Sequence, residues 1–212
     1  MDVVYILGKG SQYDDEELRY SLRSLCTNML DLHRVIVVGE KPSWLKDVHH
    51  IPCEDRHEKR WKNALEKTRM AATLPGITDE FLLMNDDFFA LKPFNGAAMP
   101  FYAVKNGNGG CNGKNDFSIH APIRFNCHWY ENLPLSLDMS GDWSPRSFYA
   151  NFYQAPPTFV PDLILRAGEG MPSYDEQVKN APWFSISDGT MTFPEFVLWL
   201  HDKYPRKSKF ET

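Results

Sequence analysis

The most chemically suggestive run in the chain is Phe81-Leu82-Leu83-Met84-Asn85-Asp86-Asp87-Phe88-Phe89. Its four apolar residues read as a strand buried on both faces. Asp86 and Asp87 then stand where that strand leaves the core. In open α/β sheets, ligands bind in the crevice at the carboxyl ends of strands. Two adjacent carboxylates repel each other, and a divalent cation relieves the repulsion. Mg²⁺ or Mn²⁺ prefers hard oxygen ligands and leaves coordination positions for substrate phosphates. The chemistry expected here has the cation bridging a diphosphate and stabilising the charge that builds as a bond to a sugar breaks. Asn-Asp-Asp is also good turn chemistry, but the strand before it and the aromatic pair after it favour the metal. Asp86 and Asp87 are therefore expected to hold the metal, with Asp86 also meeting the donor and Asp87 catalytic.

Other residues can complete such a site. Gly8-Lys9-Gly10-Ser11 follows the first apolar run, and glycines let backbone amides approach a phosphate. The spacing is not that of a Walker loop. Gly8, Gly10 and Ser11 are expected to border the nucleotide, although a tight turn would need glycine anyway. Arginines suit diphosphates through their planar fork, and Arg19 on a first helix, with Arg60 and Asn63 sharing a face of a second, are the donor-binding candidates. His120, in Phe117-Ser118-Ile119-His120-Ala121-Pro122, can accept a proton from an acceptor hydroxyl or hydrogen-bond a phosphate oxygen; a structural histidine is the plainer alternative. Asp188 can complete the metal shell or be a simple turn aspartate. Trp129, Tyr130, Trp143 and Tyr149 form either an acceptor platform or core. His49-His50 lacks further ligands for zinc. No GxSxG nucleophile motif is present, and Cys111 is the thiol to suspect of reactivity.

The elements that must carry these residues are legible in the first ninety positions. Residues 2–7 read as a buried strand and Glu16–Met29 as an amphipathic helix that Asp14 or Asp15 can cap. Residues 34–39 and 48–53 read as strands. His57–Leu74 reads as a second helix with Trp61, Leu65, Met70 and Leu74 inward, ended by Pro75-Gly76. The order β-α-β-β-α-β predicts an α/β layered fold with a mostly parallel central sheet. Residues 1–94 are expected to form the nucleotide-binding core. Residues 95–212, aromatic-rich and irregular, are expected to complete the site and face the acceptor within the same domain. Asn106–Gly113 reads as a mobile polar loop near the site.

Composition bounds the function further. The 212 residues suffice for one domain with a real core. The 28 acidic and 23 basic residues give a net charge of −5, which disfavours a duplex-DNA binder working through phosphates. It permits a phosphorylated ligand whose charge a cation neutralises. Four cysteines, Cys26, Cys53, Cys111 and Cys127, form no CxxC pair. Cys26 and Cys53 fall in patterns where buried thiols are common, and a reduced, cytoplasmic setting is expected. The opening run is apolar for only six residues without a basic leader, and no stretch is long enough to span a bilayer.

The segments DVVYILGKGS, ELRYSLRSL, RVIVVGEKPSWL and FLLMNDDFFALKPF together resemble the Stealth proteins, hexose-1-phosphate transferases that themselves resemble GT-A glycosyltransferases. The chain is also similar to small GT-A-like glycosyltransferases of phages and prophages. The ordered match covers residues 1–94. Beyond it, Ile119-His120-Ala121-Pro122 resembles a His-x-Pro motif in which the histidine is a catalytic candidate. Pro205–Glu211 (PRKSKFE) resembles the Pro-x-x-Ser-x-Phe-Glu ending. The opening departs from the family: YILGKGSQ stands where a segment like YTWVDGSD is usual, so an acidic residue is missing. The resemblance implies a GT-A-like sheet, a nucleotide-sugar donor (UDP-sugar favoured), and Asp86/Asp87 on Mn²⁺ or Mg²⁺. The expected activity is glycosyl transfer to a glycan, with sugar-1-phosphate transfer the first alternative and a non-catalytic nucleotide- or sugar-binding module the second. A phage DNA acceptor would require a basic surface stripe.

Overall fold

A computed structural model describes residues 1–8, 14–105, 117–153, 157–161, 163–187 and 189–212. In chain order the elements are β1 (Asp2–Leu7), α1 (Glu16–Asn28), β2 (Val35–Gly39), β3 (His49–Ile51), α2 (Arg60–Ala72), β4 (Glu80–Met84) and β5 (Phe88–Ala90). There follow β6 (Phe101–Lys105), β7 (Phe117–Ser118), β8 (Ile123–Asn126), α3 (Cys127–Glu131), α4 (Pro145–Phe152), β9 (Pro157–Phe159), β10 (Ile164–Leu165), α5 (Tyr174–Gln177), β11 (Trp183–Ile186) and α6 (Pro194–Lys203). The protein is mixed α/β. Its central sheet has the order β3-β2-β1-β4-β8, with β8 the antiparallel member. Residues 95–212 thus contribute a strand to the sheet begun by residues 1–94.

The parallel strands are continuously apolar because both faces are covered. Val3, Tyr5 and Leu7 of β1 pack with Leu18, Leu22 and Leu25 of α1. Val4, on the opposite face, packs with Trp61 and Leu65 of α2 and with Tyr130 and Tyr149 of α3 and α4. A third core joins Phe89 to Phe184, Phe196 and Tyr204 from the carboxyl-terminal elements. The register Val3↔Leu82, Val4↔Leu83, Tyr5↔Met84 brings the ends of β1 and β4 side by side.

Several local expectations shift. The second helix starts at Arg60 rather than His57, because the Asn63 side chain binds the backbone of residues 56 and 57 outside the helix. Asp15 occupies the position before α1, but in the left-handed region (φ 56°) and without a side-chain capping bond. Cys26 is exposed, not interior; it sits one residue past Leu25, about 100° around the helix. Tyr130 and Tyr149 belong to the core, packed on Phe125, and so form no platform. The short strands β6 to β11, two to five residues each, appear where no regular pattern is readable.

The carboxyl terminus is latched onto α1. Phe210 enters the core, and Lys46 and Thr212 amides donate to the Phe210 and Trp44 carbonyls at 2.9 and 3.0 Å. Glu211 accepts from Arg23 Nε and Nη2 at 2.9 and 2.6 Å and from the Ser208 amide at 2.7 Å. Burial alone would raise the Glu211 carboxyl, but the Arg23 and Ser208 hydrogen bonds outweigh it and hold it below its ordinary value. Removing one partner of such a pair leaves an uncompensated buried charge, whereas replacing both with apolar groups is often neutral. Glu211→Ala should therefore cost about 3–5 kcal/mol in urea unfolding, and Arg23→Met/Glu211→Leu much less. A depressed carboxyl adds stability above its unfolded pKa of about 4.3, and that contribution fades as pH falls through the folded value. The difference between wild type and Glu211→Ala should narrow below that pH; a constant difference would refute the ion-pair account.

Candidate functional site

Asp86 and Asp87 are the two central residues of a tight turn between β4 and β5, closed by the Phe88 amide donating to the Asn85 carbonyl at 3.3 Å. The turn and the site are thus the same object: chain reversal at the sheet rim brings both carboxylates to the carboxyl ends of β1 and β4. Asp86 faces a cleft of about 440 Å³ lined also by Leu7, Gly8, Asp55, Arg60, Asn63 and Lys67. Of the residues proposed from sequence, Gly8, Arg60, Asn63 and Asp86 come together there.

Each wall has a local cause. Lys67 is buried on α2, and its ammonium donates to the Leu7 carbonyl and to Asp55 Oδ1, both at 2.6 Å. This ties the rim of β1 to α2 and to the segment after β3. Gly8 is closely approached: a Cβ there would lie 3.1 Å from Asp55 Oδ2, so that carboxylate would have to shift by a few tenths of an ångström. Gly39, at φ +122°, ends β2 where a Cβ would overlap the Leu7 carbonyl. Asn63 lines the cleft, but its amide is spent on the 56–57 backbone, which makes it a fastener of the cleft wall. Arg60 is exposed at the first turn of α2 and has no ion-pair partner among the described residues.

Asp87 has the Arg146 guanidinium and the His120 ring as neighbours. Arg146, on α4 behind the Ser144 cap and Pro145, donates to the Asn85 side-chain oxygen and lies 5.1 Å over the Phe88 ring. Burial pushes its pKa down to about 10, while the negative charge of Asp87 opposes that fall, so it remains a cation at neutral pH. His120 meets the Phe88 ring edge-on at 5.6 Å. Burial raises the Asp87 carboxyl, and Arg146 and His120 offset only part of that rise. Asp86 is pushed up to about 7 by burial first, then by the charges of Asp87, Glu17 and Asp15. Arg146 escaped sequence reading. Ser144-Pro145 marks a helix start, but its approach to Asn85 spans 61 positions and exists only in the fold. Lys67 and Asp55 escaped because they sit in a run of charges on and before α2.

The other candidates lie elsewhere. Arg19 is outside the cleft lining, 4.0 Å over the Trp44 ring and 2.7 Å from Glu16, with Glu211 at 3.9 Å. It belongs to the latch. Trp129 is exposed and stacked on Tyr153 at 4.9 Å, and Trp143 packs on Phe148. His50 contacts the Gly39 carbonyl. Gly10, Ser11, Asp188, Cys111 and the Asn106–Gly113 segment lie outside the described residues.

The donor set fits a hard divalent cation. Asp87 Oδ1 is buried without a hydrogen-bond partner among the described residues, an arrangement that costs free energy unless something binds it. No three His, Cys, Asp or Glu side chains converge as a metal group among the described residues. Mg²⁺ and Mn²⁺ need no such cage, since one or two carboxylates suffice when phosphate oxygens and water complete the shell. No helix among the described residues is long and apolar enough to cross a membrane. Comparison of the chain with protein-family models finds no match, and comparison with curated proteins finds none. The functional reading therefore stands on this geometry together with the resemblance of residues 1–94 described above.

A raised carboxyl pKa has a definite linkage sign. Between about pH 4, where an unfolded aspartate loses its proton, and about 7, where Asp86 does, the native state holds the extra proton. The stability contributed by Asp86 is full at the acid end of that window and is lost as pH rises through it. Groups facing Asp86 are Glu17 and Asp15 of the α1 entry, Asp87 and Tyr5, with Asp55, Lys67 and Arg60 around the cleft and Arg146 beyond Asp87. In cation-free buffer Asp86→Asn should flatten the decline in urea-unfolding free energy from pH 5 to pH 8. Mn²⁺ should bind wild type more tightly as pH climbs to 7 and then level off. An Asp86→Asn slope equal to wild type would remove Asp86 as the group responsible.

Proposed function

We propose that this chain is a cation-assisted glycosyltransferase of GT-A-like design, acting on a nucleotide-sugar donor, with UDP-sugars favoured. The observation that carries the reading is the convergence of Gly8, Arg60 and Asp86 on one cleft at the carboxyl rim of β1 and β4. Gly8 leaves room for a diphosphate to approach the rim. Arg60 offers an exposed guanidinium fork to its oxygens. Asp86 and Asp87 would hold Mn²⁺ or Mg²⁺, which would supply Lewis-acid stabilisation of a departing diphosphate when bound. Arg146 limits the repulsion at Asp87 and keeps the turn seated. His120, on the Phe88 side of the turn, takes the proton of an acceptor hydroxyl as that oxygen bonds to the sugar carbon and the carbon–phosphate oxygen bond breaks. A nucleoside diphosphate leaves.

A second reading, sugar-1-phosphate transfer, is favoured by Arg146 and His120 standing together beside Asp87. Two such groups suit charge building on a phosphoryl centre. There the acceptor oxygen bonds to phosphorus, the diphosphate bridge breaks, and a nucleoside monophosphate leaves.

Screening nucleotide sugars with Mn²⁺ by thermal shift and nucleotide release tests both readings, because a bound donor raises the melting temperature by mass action. Asp87→Ala should abolish release while keeping the wild-type circular dichroism. Arg60→Ala should raise the donor KM about tenfold or more with little change in kcat, as expected for loss of a charged hydrogen bond. Nucleoside diphosphate as product supports glycosyl transfer, and monophosphate the alternative. Donor binding indifferent to cation and to Asp87→Ala would instead identify a binding module.

A further inference from the structure

The Ser21, Ser24 and Asn28 side chains of α1 meet the backbone of β5, the strand that leaves the acidic turn. β5 pairs through Phe88↔Ser185, Phe89↔Phe184 and Ala90↔Trp183 with β11, so one of its edges has a strand neighbour. Against the other edge lies α1. Ser21 Oγ donates to the Phe88 carbonyl at 2.6 Å, and the Ala90 amide donates to Ser24 Oγ at 3.0 Å. Asn28 Nδ2 donates to the Ala90 carbonyl at 2.9 Å, where Tyr204 OH also donates at 2.7 Å. Buried backbone groups must find partners, and here a helix supplies with side chains what a further strand would supply with its backbone. Residues 21, 24 and 28 are spaced three and four apart, so they share one helix face. All three are buried.

The chain of bonds extends below the turn. Since the Ser21 hydroxyl donates to Phe88, the Tyr5 hydroxyl donates to Ser21 Oγ at 2.9 Å. Tyr5 is wholly buried in β1 and close enough to Asp86 to feel its charge. Phe88 is also the residue whose amide closes the turn on Asn85. Its carbonyl and amide are thus both fixed, one by α1 and the other across the turn.

We infer that Ser21 is a positioning residue for the acidic turn: by fixing the Phe88 carbonyl it sets the direction in which Asp86 and Asp87 leave the sheet, and Ser24 and Asn28 brace the same strand. The metal arm of the test rests on the donor-site reading above; the exchange arm does not.

Amide hydrogen exchange and Mn²⁺ titration on the intact chain test this with three variants. Ser21→Ala should speed exchange at Phe88 and the adjoining turn by about tenfold or more while β1 and β2 amides keep wild-type protection. It should also weaken Mn²⁺ binding by about 10–100-fold, the usual effect of removing a group that orients a metal ligand. Ser21→Thr, which keeps the hydroxyl, should restore both. Tyr5→Phe, which leaves the Ser21–Phe88 bond in place, should change Mn²⁺ affinity no more than about twofold, well under that range. Should Ser21→Ala fail to fold, Ser24→Ala provides the same comparison at Ala90. Unchanged turn exchange, or exchange that rises equally throughout the sheet, overturns the inference. Faster turn exchange with undiminished Mn²⁺ affinity overturns its link to the site. If wild type itself binds no Mn²⁺, the metal reading fails and the exchange result alone decides whether Ser21 positions the turn.

Discussion

Two carboxylates on consecutive residues, held by one tight turn at a desolvated sheet rim, repel each other, and every neighbouring element answers that repulsion. The turn cannot relax outward, because Phe88 and Phe89 immediately after it are anchored in two different cores. Nor can the carboxylates spread apart, because they share the two central positions of the reversal. What remains is compensation by charge. Arg146 approaches from α4, His120 from the segment before β8, and burial leaves both acids raised despite them. The cleft on the Asp86 side carries its own balance in the Lys67–Asp55 pair and the exposed Arg60.

Helix α1 links what look like separate pieces of sequence. In ELRYSLRS, Leu18 and Leu22 bury against β1, while Tyr20 joins the carboxyl-terminal core. Arg19 and Arg23 reach Glu211, in the PRKSKFE ending. Ser21 and Ser24 reach β5, in the NDDFFA run. One helix therefore connects the start, middle and end of the chain, each contact leaving from a different angle around its axis. Such a hub explains why a helix with so many polar residues is so buried: its serines and arginines reach partners that the sequence places 66 to 192 positions away.

Most of the first ninety residues could be read in advance, since parallel strands covered on both faces leave continuous apolar runs and α1 and α2 leave helical periodicity. The rim position of Asp86 and Asp87 followed from the apolar run that ends at Met84. The limits were equally physical. Arg60 and Gly8 line the cleft, whereas the Asn63 amide, though also at the cleft, and Arg19 are spent on other partners, because a polar side chain on a helix face does not announce which neighbour will claim it. Arg146, Lys67 and Asp55 depend on tertiary approach and carry no local signature. Strands of two to five residues in the second half are too short to show a period, so their sheets were invisible.

The energetics of Asn85-Asp86-Asp87 bear on the choice between a plain turn and the proposed site. A turn serving chain reversal alone would solvate its carboxylates or pair them, and either arrangement would leave them ordinary acids. Here one oxygen of Asp87 is buried without a hydrogen-bond partner among the described residues, and burial with neighbouring acids pushes Asp86 up to about 7, so at neutral pH the turn costs stability. Proteins keep such features where a ligand repays them, and perturbed acids gather at functional sites for that reason. The compensation also has a direction: the Arg146 guanidinium sits beside Asp87, while Asp86 faces the open cleft with acidic Glu17 and Asp15 near it. A hard divalent cation bridging that rim to anionic oxygens would satisfy the orphaned oxygen, displace the proton and quench the repulsion together, which no neutral ligand could do.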